Sequence, residues 1–253
     1  MTKKRIIFAK NFNIIINNNN LFILNEKEKK LYEFLSGFIT EERKKRFEQV
    51  LQYRTRHITI VLEDIYQSHN ASAVLRSCDL TGIQDIHIIE NKWVYDINPD
   101  IVVGSTKWLD LHKYNVEEFN TPEAFDHLHD MGYKIVATCP HNNDYTPDTL
   151  PLEEPIAIVF GTEKTGLTDY ALEHADMYVQ IPMYGFTESF NISVSAALLM
   201  YTLTQRLHKR DDISWRLTDY ELELLRLDWT RKSLNRVRSF EDKFFEMHPE
   251  YKR

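Results

Sequence analysis

The chain has 253 residues, 43% apolar and 27% charged, with a formal net charge of −7, enough for one sizeable globular domain plus extensions. No apolar run approaches the roughly 20 residues of a membrane helix, and the two cysteines, Cys78 and Cys139, exclude a disulfide framework and share no metal-ligand spacing with the histidines. Neither a membrane nor a metal is therefore expected, and the cytoplasm is the expected location, because the asparagines at 17–20 interrupt the apolar N-terminal run and no small-residue cleavage site follows.

The charge is unevenly spread. Residues 1–56 carry 13 basic and 6 acidic side chains, residues 57–205 carry 6 and 22, and residues 206–253 carry 12 and 10. Basic flanks around an acidic centre suit a fold whose ends touch phosphate, although short solvated helices show the same bias. Residues 1–40 form an uncertain segment with an Asn- and Ile-biased stretch at 11–24, read as disordered, as a loosely attached strand, or as sequence upstream of the functional start. Residues 41–52 predict a basic amphipathic helix carrying Arg43, Lys44, Lys45 and Arg46, within an N-terminal element spanning 41–56.

The domain proper is expected over 57–208. Residues 57–63 read as a strand and 71–79 as a helix, with Ala71, Val74, Leu75 and Cys78 on one face. Strands are predicted at 85–90, near 108–112, and at 133–138, 155–160 and 177–181, with a helix at 121–131. A long, nearly all-apolar helix is predicted at 191–207. This alternation predicts an α/β fold, a mainly parallel sheet with helices on both faces. A C-terminal helical extension fills 209–253, with one or two helices at 219–247. Within it, Arg231, Lys232, Arg236 and Arg238 form a basic run, and on one continuous helix 231, 235 and 238 would share a face.

Three segments carry the chemistry. In the first, at 69–79 (HNASAVLRSCD), Asn70 stands where a helix N-cap belongs, and capping accounts for it as readily as a site role does. Ser72, Arg76 and Asp79 share the polar face, and Arg76 is the only arginine between 57 and 205. A ligand contact and an exposed i, i+3 pair with Asp79 are both open to it. The second, at 158–167 (IVFGTEKTGL), turns at Gly161, where open α/β sheets bind ligands. It approaches a Walker A loop, but Leu167 stands where the phosphate-binding lysine must be and Glu163 would repel phosphate, which excludes an NTPase. The third, at 181–195 (IPMYGFTESFNISVS), runs from a strand through a loop into the long helix. Ser189 and Asn191 sit at that helix entrance as caps or site groups, and Met183 and Phe190 are open to core or ligand contact.

Together the motifs N-x-x-A-x-x-R, F-G-x-E-x-x-G and I-P-M-x-G…S-x-N-x-S-V, in this order, closely resemble the signatures of the TrmH branch of SPOUT methyltransferases, over about residues 45–208. The resemblance implies a deep trefoil knot at the C-terminal end of the sheet. It also implies a bent S-adenosylmethionine held largely by backbone groups at Thr138, Gly161, Ile181, Met183 and Phe190. The family's catalytic arginine maps to Arg76, with Asn70, Glu163, Ser189 and Asn191 as supporting polar residues. Phe190 stands where the family usually has leucine, which alters the fine shape of the pocket. A homodimer that completes each site across its interface is expected.

The implied activity is S-adenosylmethionine-dependent methylation of an RNA ribose 2′-hydroxyl, with Arg76 acting on the hydroxyl proton or clamping a substrate phosphate. Short helical extensions in place of a separate N-terminal RNA-binding domain favour tRNA, at a D-loop guanosine, over the alternative of rRNA. A catalytically silent RNA-binding relative would lack Arg76 or Asn191, and a dinucleotide-dependent oxidoreductase is excluded by the glycine-free turn after the first strand. Phosphate contact is expected from Arg43–Arg46 and the 231–238 run.

Overall fold

A computed structural model describes residues 24–95, 104–140 and 144–252. Of these, 55–215 make one compact unit, and 24–54 with 216–252 make another. The low-complexity stretch at 11–23 lies outside the described residues.

The first unit is built on six strands among the described residues: β1 (Ile58–Glu63), β2 (Asp85–Ile89), β3 (Asp110–Tyr114), β4 (Lys134–Thr138), β5 (Ile156–Phe160) and β6 (Met177–Val179). They lie in the order β3-β2-β1-β5-β4-β6, each pair parallel. The order changes direction between β1 and β5, which opens a ligand crevice at the carboxyl ends of those strands. The unit's helices are α3 (Ser68–Thr81), α4 (Thr121–Asp130), α5 (Asp169–Glu173) and α6 (Ile192–Leu207).

Strand alternation assigns the two faces. Ile60, Leu62, Ile158 and Phe160 join a core with Val74 and Leu75 of α3 and with Leu199 and Leu203 of α6. Val61, Ala157 and Val159 join the opposite core with Phe125 and Leu128 of α4 and with Ala171 of α5. The sheet is thus covered on both sides, as its continuous apolar strands require. Several boundaries differ from the sequence-based expectation, among them β6, which ends at Val179 where 177–181 was expected. Helix α3 begins at Ser68, with Gln67 as an N-cap that makes no side-chain cap bond, so Asn70 lies inside the first turn and is not the cap. Strand β3 is 110–114, because its pairing runs from Asp85↔Asp110 to Ile89↔Tyr114.

The second unit contains α1 (Glu26–Ser36), α2 (Glu41–Leu51), α7 (Asp219–Ser233) and α8 (Val237–Met247). Helix α1 falls inside the segment left uncertain in the sequence. A capping box between Asn25 and Glu28 starts it, and Leu31 and Leu35, one turn apart, pack with Leu227 and Phe244. The run at 231–238 is not one helix. Helix α7 ends at Ser233, and α8 begins after Arg236, whose φ is +61°, so the shared face expected for 231, 235 and 238 does not form.

A buried polar array crosses β2 and β3. Arg56 bridges Asp85 and Asp110, and His112 Nε2 lies 2.8 Å from Asp85 Oδ1. His87, the register partner of His112, stacks on it at 4.6 Å and shares a 2.8 Å hydrogen bond with Tyr114, whose hydroxyl also meets His127 at 2.8 Å. Burial, and next the charge of His112, hold the His87 imidazole well below its ordinary pKa. Burial works against ionisation of Asp85, but Arg56 and then His112 overcome it and hold that carboxyl below the usual range.

Both shifts mean that acid favours the unfolded chain. His87 binds a proton below about pH 6.5 only when unfolded, so its contribution to stability is complete above that pH and erodes as the pH falls toward the folded value; Asp85 does the same below the carboxylate range. We expect the unfolding free energy, and with it the melting temperature, to fall between pH 7 and pH 5, the free energy with a slope approaching about 1.4 kcal/mol per pH unit for one proton. His87→Gln should flatten that slope, and a slope equal to wild type would remove His87 as its source.

Candidate active site

A cavity of about 500 Å³ opens at the carboxyl ends of β4, β5 and β6, and Thr138, Gly161, Ile181, Met183 and Phe190 all line it. Met183 and Phe190 therefore face the cavity and not the core. Its tightest wall is the turn after β5, where Thr162 and Gly166 exchange backbone hydrogen bonds of 2.9 and 3.0 Å. A Cβ on Gly161 would sit 2.3 Å from the carbonyl carbon and oxygen of Gly166, so only glycine lets the two strands of the turn close. Gly166 itself has φ +71°, a conformation that disfavours side-chain-bearing residues.

This turn presents Glu163, and its carboxylate gathers the other two motifs. Glu163 Oε1 accepts from Asn70 Nδ2 at 2.8 Å and from Asn191 Nδ2 at 2.6 Å. Asn191 Nδ2 also donates to Asn70 Oδ1 at 3.1 Å. Asn191 caps α6 as well, its Oδ1 accepting from Ser193 N at 2.9 Å. Ser189 lines the cavity with an exposed side chain that has no hydrogen-bond partner among the described residues.

Arg76 is not in this cluster. It lies six residues past Asn70, about 9 Å farther along the axis of α3, exposed, off the cavity lining and without an ion pair among the described residues. The pair with Asp79 is therefore absent. The basic residues of the second unit also divide. Arg231 pairs with Glu241 at 2.8 Å, Lys232 with Asp228 at 2.6 Å and Lys44 with Glu41 at 2.7 Å, whereas Lys45, Arg46, Arg236 and Arg238 are exposed. Arg43 is exposed as well.

Sequence reasoning passed over two residues that frame the site. Glu63, at the end of β1, is 1% exposed and accepts from Thr168 N at 2.9 Å, Thr168 Oγ1 at 2.8 Å and Thr121 Oγ1 at 2.6 Å. It thereby anchors the chain just beyond the 161–166 turn. A carboxylate closing an otherwise apolar buried strand was the available signal, since a charge is rarely buried there without partners. Gln67 is the other, its Oε1 accepting from Asn70 Nδ2. Among the described residues, no group of three or more metal-ligating side chains is positioned for an ion, and no helix is long and apolar enough to cross a membrane.

Gly161→Ala should open the turn and displace Glu163. We expect at least a tenfold loss of affinity for a ligand of this cavity, read by calorimetry, and a lower melting temperature. Wild-type affinity in this variant would show that the turn does not shape the cavity.

The sequence profile described as the SpoU rRNA Methylase family matches residues 57–201. A tRNA (guanosine(18)-2'-O)-methyltransferase of Borreliella burgdorferi is 45% identical over 208 residues, covering 82% of this chain and 93% of that protein. One from Thermus thermophilus is 32% identical over 194 residues, covering 76% and 98%. Among solved structures, an Aquifex aeolicus TrmH/SpoU tRNA modifying enzyme superposes with a TM-score of 0.68 at 27% identity, covering 78% of this chain and 98% of that one. The chain belongs to the SpoU rRNA Methylase family.

Proposed function

We propose that this protein is an S-adenosylmethionine-dependent tRNA 2′-O-methyltransferase acting in the cytoplasm on guanosine 18 of the D-loop. The observation that carries the reading is the convergence of Asn70, Glu163 and Asn191 into one polar cluster beside a cavity, in a chain 45% identical to an enzyme of that name.

The cavity suits the methyl donor. Its volume is that of a small-molecule site, Ile181, Met183 and Phe190 offer apolar contact, and the close turn at Gly161 brings backbone groups to its wall. Glu163 and Glu188 outnumber Lys164 on the lining, a negative balance that favours a cationic sulfonium. S-Adenosylmethionine bound there supplies an electrophilic methyl group. The chain's own residues do the rest. Asn70 and Asn191 fix Glu163, leaving its second oxygen to receive a ribose hydroxyl, and Ser189 adds a hydroxyl at the same rim. The family's knot at this end of the sheet is part of the reading, supported by the likeness to the Aquifex structure.

Arg76 enters through a homodimer. Its helix α3 packs on α6, and these two helices bear exposed apolar side chains: Leu80 (77% exposed) one turn beyond Arg76, and Val194, Leu198 and Tyr201 at i, i+4 and i+7. A second copy seated on this face would bury that surface and bring Arg76 toward the partner's cavity. There a guanidinium, which does not lose its proton, clamps a phosphate and orients the hydroxyl.

Arg76→Ala is expected to lower single-turnover methyl transfer at least a hundredfold while S-adenosylmethionine affinity stays within a few-fold. Mixing it with the inactive Asn191→Ala protein should restore activity, because one site of the heterodimer then holds both wild-type residues. Failure of the mixture to recover would rule out completion across subunits. Mapping 2′-O-methyl positions in treated RNA checks the substrate, and methylation confined to rRNA would overturn the tRNA assignment.

A further inference from the structure

Near the polar cluster two large aromatic side chains face solvent. Tyr66, in the β1–α3 loop, is 39% exposed, and Trp93, in the segment after β2, is 54% exposed. Their ring centroids are 5.6 Å apart with planes inclined by 43°, so the rings do not stack face to face and each keeps π-surface for another partner. An exposed tryptophan forgoes a large burial gain, yet this one is held in place. Asp64 has φ +56°, one of two non-glycine residues with positive φ among the described residues. Its Oδ1 accepts from the N–H groups of Asn91 at 2.8 Å, Lys92 at 2.9 Å and Trp93 at 3.4 Å. Such backbone strain persists only where its surroundings enforce it, and it clusters at functional sites. Here it pins the segment after β2 to the loop after β1, so that Trp93 stands outward while Tyr95 is buried.

The pair is also joined to the polar cluster. Gln67 Nε2 donates to Tyr66 Oη at 3.1 Å, Gln67 Oε1 accepts from Asn70 Nδ2, and Asn70 Nδ2 donates to Glu163. Lys92, beside Trp93, is exposed and adds a positive charge to this aromatic edge.

We propose that Tyr66 and Trp93 form a stacking platform for an unpaired nucleobase of the RNA substrate, next to the nucleotide whose ribose meets Glu163; this rests on the RNA-methyltransferase reading above. An enzyme acting on a ribose within a folded loop must unstack neighbouring bases, and exposed aromatic faces offset that cost without demanding a particular base. Lys92 suits the adjoining phosphate.

The test uses the full-length protein and the variants Tyr66→Leu and Trp93→Leu, which keep apolar bulk but remove the π-face, with Trp93→Phe as the conservative control. The Leu variants should weaken RNA binding roughly 5- to 100-fold and raise KM for RNA. Trp93→Phe should recover most of the loss. Melting temperature, solution mass and the S-adenosylmethionine dissociation constant should match wild type. Fluorescence lost between wild type and Trp93→Phe isolates the Trp93 signal, which RNA should quench. Leu variants that keep the wild-type KM for RNA would overturn the platform and leave the methyltransferase reading standing. A smaller solution mass for Trp93→Leu would assign this surface to self-association and also overturn it. Wild-type protein that neither binds nor methylates RNA would overturn the underlying reading before any variant is compared.

Discussion

Two amide side chains donate to a single carboxylate oxygen of Glu163, one from Asn70, 93 residues earlier in the chain, and one from Asn191, 28 residues later. Hydrogen bonds to an ionised acceptor are the stronger kind, and this pair closes three loops of an open sheet into one rim. The geometry is possible only because the turn holding Glu163 is tight, with Gly161 and Gly166 closer than any side chain at 161 permits. The same contacts engage one oxygen of the carboxylate, and the other has no hydrogen bond among the described residues, so on the proposed reading a structural clasp doubles as a chemical group.

Below the rim a second carboxylate performs the corresponding task in the interior. Glu63 ties the start of α5 to the start of α4 through Thr168 and Thr121. Asn91 Nδ2 donates to Thr121 Oγ1 at 2.9 Å, and Asn120 bonds both Asn91 Oδ1 and the carbonyl of Glu90. The segments after β1, β2, β3 and β5 are thereby bonded to one another as well as to their own strands. Site geometry gains its precision from such support, because loops alone are mobile.

The sequence disclosed the sheet and the cavity better than it disclosed helix ends and partner choice. Buried parallel strands such as Ile156–Phe160, and Ile60–Leu62 within β1, are continuous apolar runs, visible without coordinates. The three motifs were legible only together and in order, because each alone has a capping or turn explanation. Asn70 was ambiguous because a helix can start at Ser68 without a side-chain cap, which pattern alone does not reveal. Asn191 proved to cap its helix through Oδ1 and to donate to Glu163 through Nδ2, so the cap and the contact with the second motif do not compete. Helix α1 was missed because its apolar face is short, Leu31 and Leu35, and its stability depends on residues nearly two hundred positions away, Leu227 and Phe244. The break at Arg236 was hidden because its left-handed backbone involves neither glycine nor proline.

Charge sets the terms on which such a protein can hold a nucleic acid. Residues 57–205 carry 22 acidic and 6 basic side chains, so the unit bearing the cavity repels a phosphate backbone at long range. Of the basic groups in the other unit, Arg231, Lys232 and Lys44 are already neutralised by Glu241, Asp228 and Glu41. Lys45, Arg46, Arg236 and Arg238, exposed and unpaired among the described residues, therefore carry the salt-sensitive share of affinity on the proposed reading. On the same reading, what acts at the cavity is mostly short-ranged: a hydrogen bond donated by the ribose hydroxyl to the preset carboxylate, and the flat faces of Tyr66 and Trp93, with Arg76 and Lys92 as the local positive charges. A division of that kind lets an acidic lining attract a cationic methyl donor while phosphate is met by basic side chains outside that lining.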